Sequence, residues 1–305
     1  MALSYLQYDV FTHAPLTGNQ LAVFLDGRGV STERMQAIAR EMNFSESTFI
    51  LPAELPGTDV RMRIFTPGTE LPMAGHPTIG STFALAYTGV IKPGAKRFVF
   101  GLGVGSTPVD LEWGSDGLTF AWMTQLRPTF DPPIEDRAGA AAALGLSAED
   151  LAPDLPVQQV SCGLPYVLIP LRDRATVDRA QTDIAALRRF VKSAGISPDF
   201  YLFAPSHLAP SHPRTVAEVY SRMFAPGFGI PEDPATGSAA GPLGCYLVRH
   251  GIVSGSAAQR IVNDQGVFMG RPSRIHMAIS GAADDITQVK VGGEAVLVAR
   301  GDLLV

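Results

Sequence analysis

RIFTPGTELPMAGHPTIGS, residues 63–81, and SRMFAPGFGIPEDPATGSAAG, residues 221–241, are the two stretches on which the reading of this chain turns. Each runs Arg, an apolar residue, Phe, one further residue and Pro, then an acidic residue, then a Gly-containing turn that opens an apolar run. Two unrelated strand–loop–helix units could share these features by coincidence. The matching order of the features favours an internal repeat. A chain of 305 residues is long enough for two such units, each with its own core.

Outward from the first stretch, residues 59–66 alternate, with Val60, Met62 and Ile64 on one side and Arg61 and Arg63 on the other, as in a half-buried strand. Further strands are expected at 5–11, 20–25 and 47–51. A helix lies between them: Ser31 suits its N-cap, Glu33 its first turn, and Met35, Ile38, Ala39 and Met42 form one buried stripe. A second helix should open at His76-Pro77, with proline at the first helical position, where its missing N–H has no partner to lose. Residues 78–87 are apolar almost all round, so this helix is expected to be central and enclosed. Strands follow at 97–100, 109–113 and 118–123. The proline-containing stretch 127–133 then breaks the pattern and marks a boundary. In the second half, helices are expected at 137–144 and 184–193, and strands at 157–161, 166–170, 200–203 and 217–224. An apolar helix then runs from near Gly237 to a C-capping Gly251.

Composition narrows the function. The net charge is −5, with 17% charged residues and no dense Lys/Arg run, so nucleic acid is not the expected partner. No apolar run reaches the roughly 18–20 residues that span a bilayer, and the first residues read as a strand rather than a signal peptide. No membrane association is expected, and a cytoplasmic protein follows by default. The two cysteines, Cys162 and Cys245, are too few and too far apart in sequence for a metal site or a disulfide framework; both are expected reduced and partly buried.

Chemistry is best placed at the two loop-to-helix junctions, 74–77 and 235–238. Unpartnered backbone N–H groups at a helix start favour an anion, and two matched junctions could converge on one interdomain cleft. A plain helix start with a Gly turn is the simpler account of either junction alone. Glu46, in NFSESTF, could be a general base raised by burial and oriented by its flanking serines, or an exposed glutamate in a helix–strand connection. Asp233 could hold a substrate ammonium or act as a second acid/base, or simply shape the turn before Pro234. His76 could donate to substrate or carry a proton, or serve as a helix-start residue. The run Gly101–Gly105 lacks the helix that a dinucleotide loop needs and reads as a hairpin. The role of the turn-rich segment 265–273 cannot be read from spacing. Arg249 and His250 suit a helix C-terminus. No nucleophile elbow, HExxH or Walker loop is present.

The segments YDVFTHAPLTGNQLAVF, REMNFSESTFIL, RIFTPGTELPMAGHPTIGS, SRMFAPGFGIPEDPATGSAAGPL, LVRHG and GVFMGRPS together resemble the phenazine-biosynthesis PhzF family, from about residue 5 to the end. The resemblance implies an α+β protein of the diaminopimelate-epimerase-like fold, with two pseudo-symmetric domains, each a curved mixed sheet around a central helix. The first domain is expected over 1–126, completed by a strand at about 290–305, and the second over 127–289. The family's defining enzyme isomerises trans-2,3-dihydro-3-hydroxyanthranilate to a ketone precursor of the phenazine ring, without metal or organic cofactor, as a homodimer. Matched by motif, its acid/base glutamate corresponds to Glu46, its active-site histidine to His76 and its active-site aspartate to Asp233. Ser45, Gly75, Gly237 and Ser238 correspond to substrate contacts for a small carboxylate-bearing substrate. The fold's racemases use a cysteine at each of two matched motifs; neither junction here has one, which disfavours two-thiol racemisation. A PhzF-like isomerase or epimerase of another small amino or hydroxy acid, and a non-catalytic binding protein with this fold, are the competing readings.

Overall fold

The computed structural model describes residues 2–204, 217–226 and 230–304. Residues 227–229, inside the second repeated stretch, fall outside it. The first half comprises β1 (Ala2–Val10), β2 (Asn19–Phe24), α1 (Thr32–Met42), β3 (Glu46–Pro52), β4 (Val60–Phe65), β5 (Glu70–Leu71), α2 (Gly75–Tyr87), β6 (Arg97–Leu102), β7 (Gly105–Gly114) and β8 (Gly117–Gln125). After it come β9 (Thr129–Pro133), α3 (Arg137–Ala142), β10 (Gln158–Ser161), β11 (Pro165–Pro170), α4 (Arg174–Arg179), α5 (Ile184–Ala194), β12 (Phe200–Ala204) and β13 (Ala217–Ala225). The chain ends with β14 (Ile230–Asp233), α6 (Gly237–Arg249), β15 (Ile261–Gln265), β16 (Ser273–Ala282), β17 (Asp285–Gly293) and β18 (Ala295–Leu304).

The hydrogen-bond ladders carry the repeat that the motifs suggest. One run of strands is β18-β1-β2-β3-β4-β6-β7-β8, with β5 added on β4. The other is β9-β10-β11-β12-β13-β15-β16-β17, with β14 added on β13. Parallel pairs fall at the same two places in each: β2–β3 and β4–β6, then β11–β12 and β13–β15. A parallel pair needs a crossover; in the first half α1 supplies it for β2–β3 and α2 for β4–β6, and in the second α4 and α5 supply it for β11–β12 and α6 for β13–β15. Strands β8 and β17 occupy equivalent places and pair with each other, antiparallel, so the two sheets join at their matched edges.

Each half wraps its sheet around one enclosed helix. Every residue of α2 from Gly75 to Leu85 is buried, and every residue of α6 except Arg249. Ile79, Leu243 and Leu247 are fully covered in the shared core, each stabilising the fold by roughly 1.5–3 kcal/mol. The outer faces of the sheets carry separate clusters, one under α1 and one under α3, α4 and α5.

Most elements lie where their patterns place them. Ser31 caps α1, its hydroxyl accepting from the Arg34 N–H. The Gly101–Gly105 run is a β6–β7 hairpin. Three expectations change. Pro77 is the third helical residue, not the first, which costs nothing because none of the first four N–H groups has a helical partner. The stretch 127–133 is not without secondary structure: it holds β9, the first strand of the second run, which pairs with β10 and tolerates proline as an end strand. The two cysteines are fully buried rather than partly so, and the fold brings their sulfurs to 3.9 Å, unbonded.

Candidate functional site

Helices α2 and α6 begin against each other. A Cβ on Gly75 would lie 2.5 Å from the Gly237 Cα, a contact that only glycine permits. Neither N-cap residue, Ala74 or Thr236, makes a side-chain cap, and neither first turn carries an acidic residue. Two helix starts therefore meet with their dipoles' positive ends together and their N–H groups free of side-chain caps, a setting that favours an anion.

The candidate residues named from sequence gather around this meeting point. Glu46 opens β3 and is 8% exposed, with Oε2 lacking any hydrogen-bond partner among the described residues. The His76 Nε2 lies 3.3 Å from that oxygen, without hydrogen-bond alignment. Burial, and then the charge of Asp233, hold the Glu46 carboxyl well above the usual carboxylate range. Burial pushes His76 down to about 3, so its ring is neutral. A neutral imidazole lies beside this carboxyl, whose pKa burial raises, an arrangement suited to taking or giving a proton.

Asp233, from the second half, is bound to the first. Its Oδ1 accepts from the Ser45 hydroxyl at 2.7 Å and from the Asn19 amide at 2.8 Å; its Oδ2 accepts from the Thr236 hydroxyl at 2.5 Å. Burial raises its pKa against the lowering effect of these donors. Ser238, the second residue of α6, shares a 2.7 Å hydrogen bond with the Tyr166 hydroxyl. Gln125, at the end of β8, donates to the Gly237 carbonyl at 2.9 Å. Glu46, His76, Asp233, Ser45, Gly75, Gly237 and Ser238 thus all lie where the two halves meet.

Several participants escape sequence reasoning. The Asn19 amide nitrogen contacts His76 Nδ1 at 3.1 Å, Asp233 Oδ1 and the Ala235 carbonyl, linking both halves. Gln265 donates to the Asp233 carbonyl and accepts from the Thr236 N–H, holding the turn before α6. Arg271, in the segment whose role spacing left open, ties the second half to the first: its guanidinium binds Asp9, the Thr17 carbonyl and the Gly18 carbonyl at 2.7–2.8 Å. Each is a polar residue beside a turn, and only the pairing of the strands shows what it faces.

The family model described as phenazine biosynthesis-like protein matches residues 8–301. The trans-2,3-dihydro-3-hydroxyanthranilate isomerase of Pseudomonas aeruginosa is 38% identical over 97% of this chain and 98% of its own. Among solved structures, a predicted epimerase from Pseudomonas aeruginosa superposes with a TM-score of 0.83 at 34% identity, covering 99% of both chains. A PhzF-family phenazine biosynthesis protein from Bacillus anthracis does so with a TM-score of 0.83 at 26% identity, covering both chains fully. With the repeated fold, the meeting helix starts and the matching motifs, these likenesses place the chain in the phenazine-biosynthesis-like PhzF family of isomerases.

Proposed function

We propose that this protein is a cofactor-independent isomerase in which Glu46 moves a proton on a small, carboxylate-bearing substrate, and that the substrate is trans-2,3-dihydro-3-hydroxyanthranilate. The observation that carries the reading is the buried Glu46 carboxyl, its Oε2 without a hydrogen-bond partner among the described residues, beside two abutting, uncapped helix starts. Glu46 takes the proton from the hydroxyl-bearing ring carbon, and the conjugated diene spreads the charge. The carboxyl returns a proton further along the π-system on the same face, and the resulting enol relaxes to the ketone. The helix starts and Ser238 hold the substrate carboxylate, Asp233 the amino group, and His76 stays neutral beside Glu46. The relative of Pseudomonas aeruginosa named for this reaction supports the choice of substrate.

The test is consumption of dihydro-hydroxyanthranilate by the purified protein with nothing added, followed by the ketone's absorbance, with solvent deuterium entering the product. Glu46→Gln should still bind a substrate analogue while turnover falls by about 10²–10⁴-fold. No turnover by the wild type removes the proposed substrate. Equal rates for mutant and wild type remove Glu46 from its role. The homodimer belongs to the same proposal; a monomer by light scattering contradicts it.

A further inference from the structure

The two enclosed helices are met in the same way at their starts. His76 is the second residue of α2 and Ser238 the second residue of α6. Strands β2 and β11 hold the same place in the two runs, each paired in parallel with the strand that follows it. From β2, the Asn19 amide nitrogen lies 3.1 Å from His76 Nδ1; from β11, the Tyr166 hydroxyl lies 2.7 Å from the Ser238 Oγ. The second pair sits where the substrate carboxylate is proposed to be held, and the proposed reaction gives Tyr166 no part.

Tyr166 and Ser238 are both buried, and among the described residues each hydroxyl has the other as its hydrogen-bond partner. Two hydroxyls sharing one hydrogen bond leave one proton over, and the residue that keeps it decides what the cleft presents. If Ser238 donated to Tyr166, its oxygen would turn lone pairs toward the cleft and repel a carboxylate. If Tyr166 donates, the Ser238 O–H is left to point into the cleft. The chemistry of the two groups favours the second arrangement. A phenol oxygen shares its lone pair with the ring and accepts poorly, while its proton, with an ordinary pKa of about 10, is more acidic than that of an alkyl alcohol. Burial, and then the charges of the nearby carboxyls, hold Tyr166 protonated, so it has a proton to donate. A carboxylate at Ser238 then accepts from a hydroxyl that is itself accepting, and each bond of such a chain strengthens the other.

We infer that Tyr166 positions Ser238 for carboxylate recognition: the Tyr166 hydroxyl donates to the Ser238 Oγ, which commits the Ser238 O–H to an acceptor in the cleft. The inference rests on the proposed role of Ser238 and leaves both proton steps to Glu46. Tyr166 is a positioning residue, acting through Ser238. The substrate carboxylate keeps its charge while the ring proton moves, so the Ser238 bond serves the bound substrate and the transition state alike. Its loss belongs to binding rather than to the chemical step. Tyr166 thereby sets a preference for ionised carboxylates: a ring with the same amino and hydroxyl groups but no carboxylate gains nothing from it.

The experiment titrates two ring compounds, by calorimetry, into the wild type, Tyr166→Phe, Ser238→Ala and the double variant. One is 3-hydroxyanthranilate, the aromatic analogue of the proposed substrate; the other is 2-aminophenol, the same ring without the carboxylate. Tyr166→Phe should weaken 3-hydroxyanthranilate about tenfold, most of the worth of one charge-assisted hydrogen bond, and leave 2-aminophenol unchanged. In turnover, KM should rise by a similar factor while kcat hardly moves. The double variant should bind 3-hydroxyanthranilate as Ser238→Ala does, because Tyr166 has no route to the carboxylate once the Ser238 hydroxyl is gone. Equal weakening of both rings, as a packing defect gives, overturns the inference. So does a double variant weaker than Ser238→Ala by the full Tyr166→Phe factor, and so does unchanged binding in Tyr166→Phe. A wild type that shows the expected binding pattern but does not turn over dihydro-hydroxyanthranilate removes the proposed reaction and leaves this inference standing. A wild type that binds neither ring overturns the inference whatever its turnover.

Discussion

The Asn19 amide nitrogen donates to Asp233 Oδ1 and to the Ala235 carbonyl, and lies 3.1 Å from His76 Nδ1. Its two hydrogens serve the two acceptors of the second half, which holds the turn before α6 against β2. Asn19→Ala removes a donor from a buried carboxylate, a loss of about 1–3 kcal/mol. It should lower kcat about 10- to 100-fold with little change in KM, measured by steady-state kinetics. Asp199 allows a prediction about pH. The unfolded carboxyl titrates near its ordinary value of 3.8, and burial raises the folded one to about 6. Between these values the folded state binds the extra proton, so stability falls as pH rises through the window from about 4 to about 6. The difference between the two sets the limit at about 3 kcal/mol. Asp199→Asn should therefore melt higher than wild type at pH 7, and the advantage should shrink toward pH 4; a constant difference in melting temperature contradicts this.

At the scale of elements, the abutment of α2 and α6 depends on two absent side chains. Gly75→Ala would put a Cβ 2.5–2.6 Å from the backbone of Gly237 and Ser238, which cannot yield as a flexible side chain can. Overpacking of this kind costs about 1–3 kcal/mol. The helix starts should separate, with loss of activity and a lower melting temperature by calorimetry. The long elements were legible in the sequence: the alternation of 59–66, the stripe on α1 and the all-round apolarity of α2 and α6 each report local burial. Short ones were not. The six-residue α4 and two-residue β5 are too brief to show a period, and β9 was hidden by its prolines. In the site, Glu46, His76 and Asp233 could be named from their motifs. Asn19, Tyr166 and Gln265 could not, because what they hold depends on which strands pair.

At the scale of the molecule, the halves meet through the β8–β17 pairing, the Asn19 and Ser45 bonds to Asp233, and Arg271. Arg271 satisfies Asp9, which is 2% exposed and whose other oxygen accepts from the Leu16 N–H. Arg271→Ala leaves that carboxylate buried without its cation, a loss of about 3–5 kcal/mol. The variant should show faster amide hydrogen exchange across 11–18 than across β1, while Asp9→Asn should be milder, since it removes the stranded charge. With Glu46, His76 and Asp233 all nearly sealed from solvent, loosening this tie should raise substrate on-rates before it abolishes turnover.

Strand β18 is the partner of β1, joined residue for residue from Ala2–Leu304 to Val10–Ala295 apart from one bulge. The first sheet to be synthesised on the ribosome thus lacks its neighbour until nearly three hundred residues have followed. Meanwhile β9 to β17 form an uninterrupted set that can assemble as soon as it emerges. The half that carries Glu46 should be the later to acquire protection during translation, with an open strand edge that invites chaperones or mispairing. Splicing the β18 segment ahead of β1, so that the two form a local hairpin, should remove that wait and raise soluble yield without altering the site.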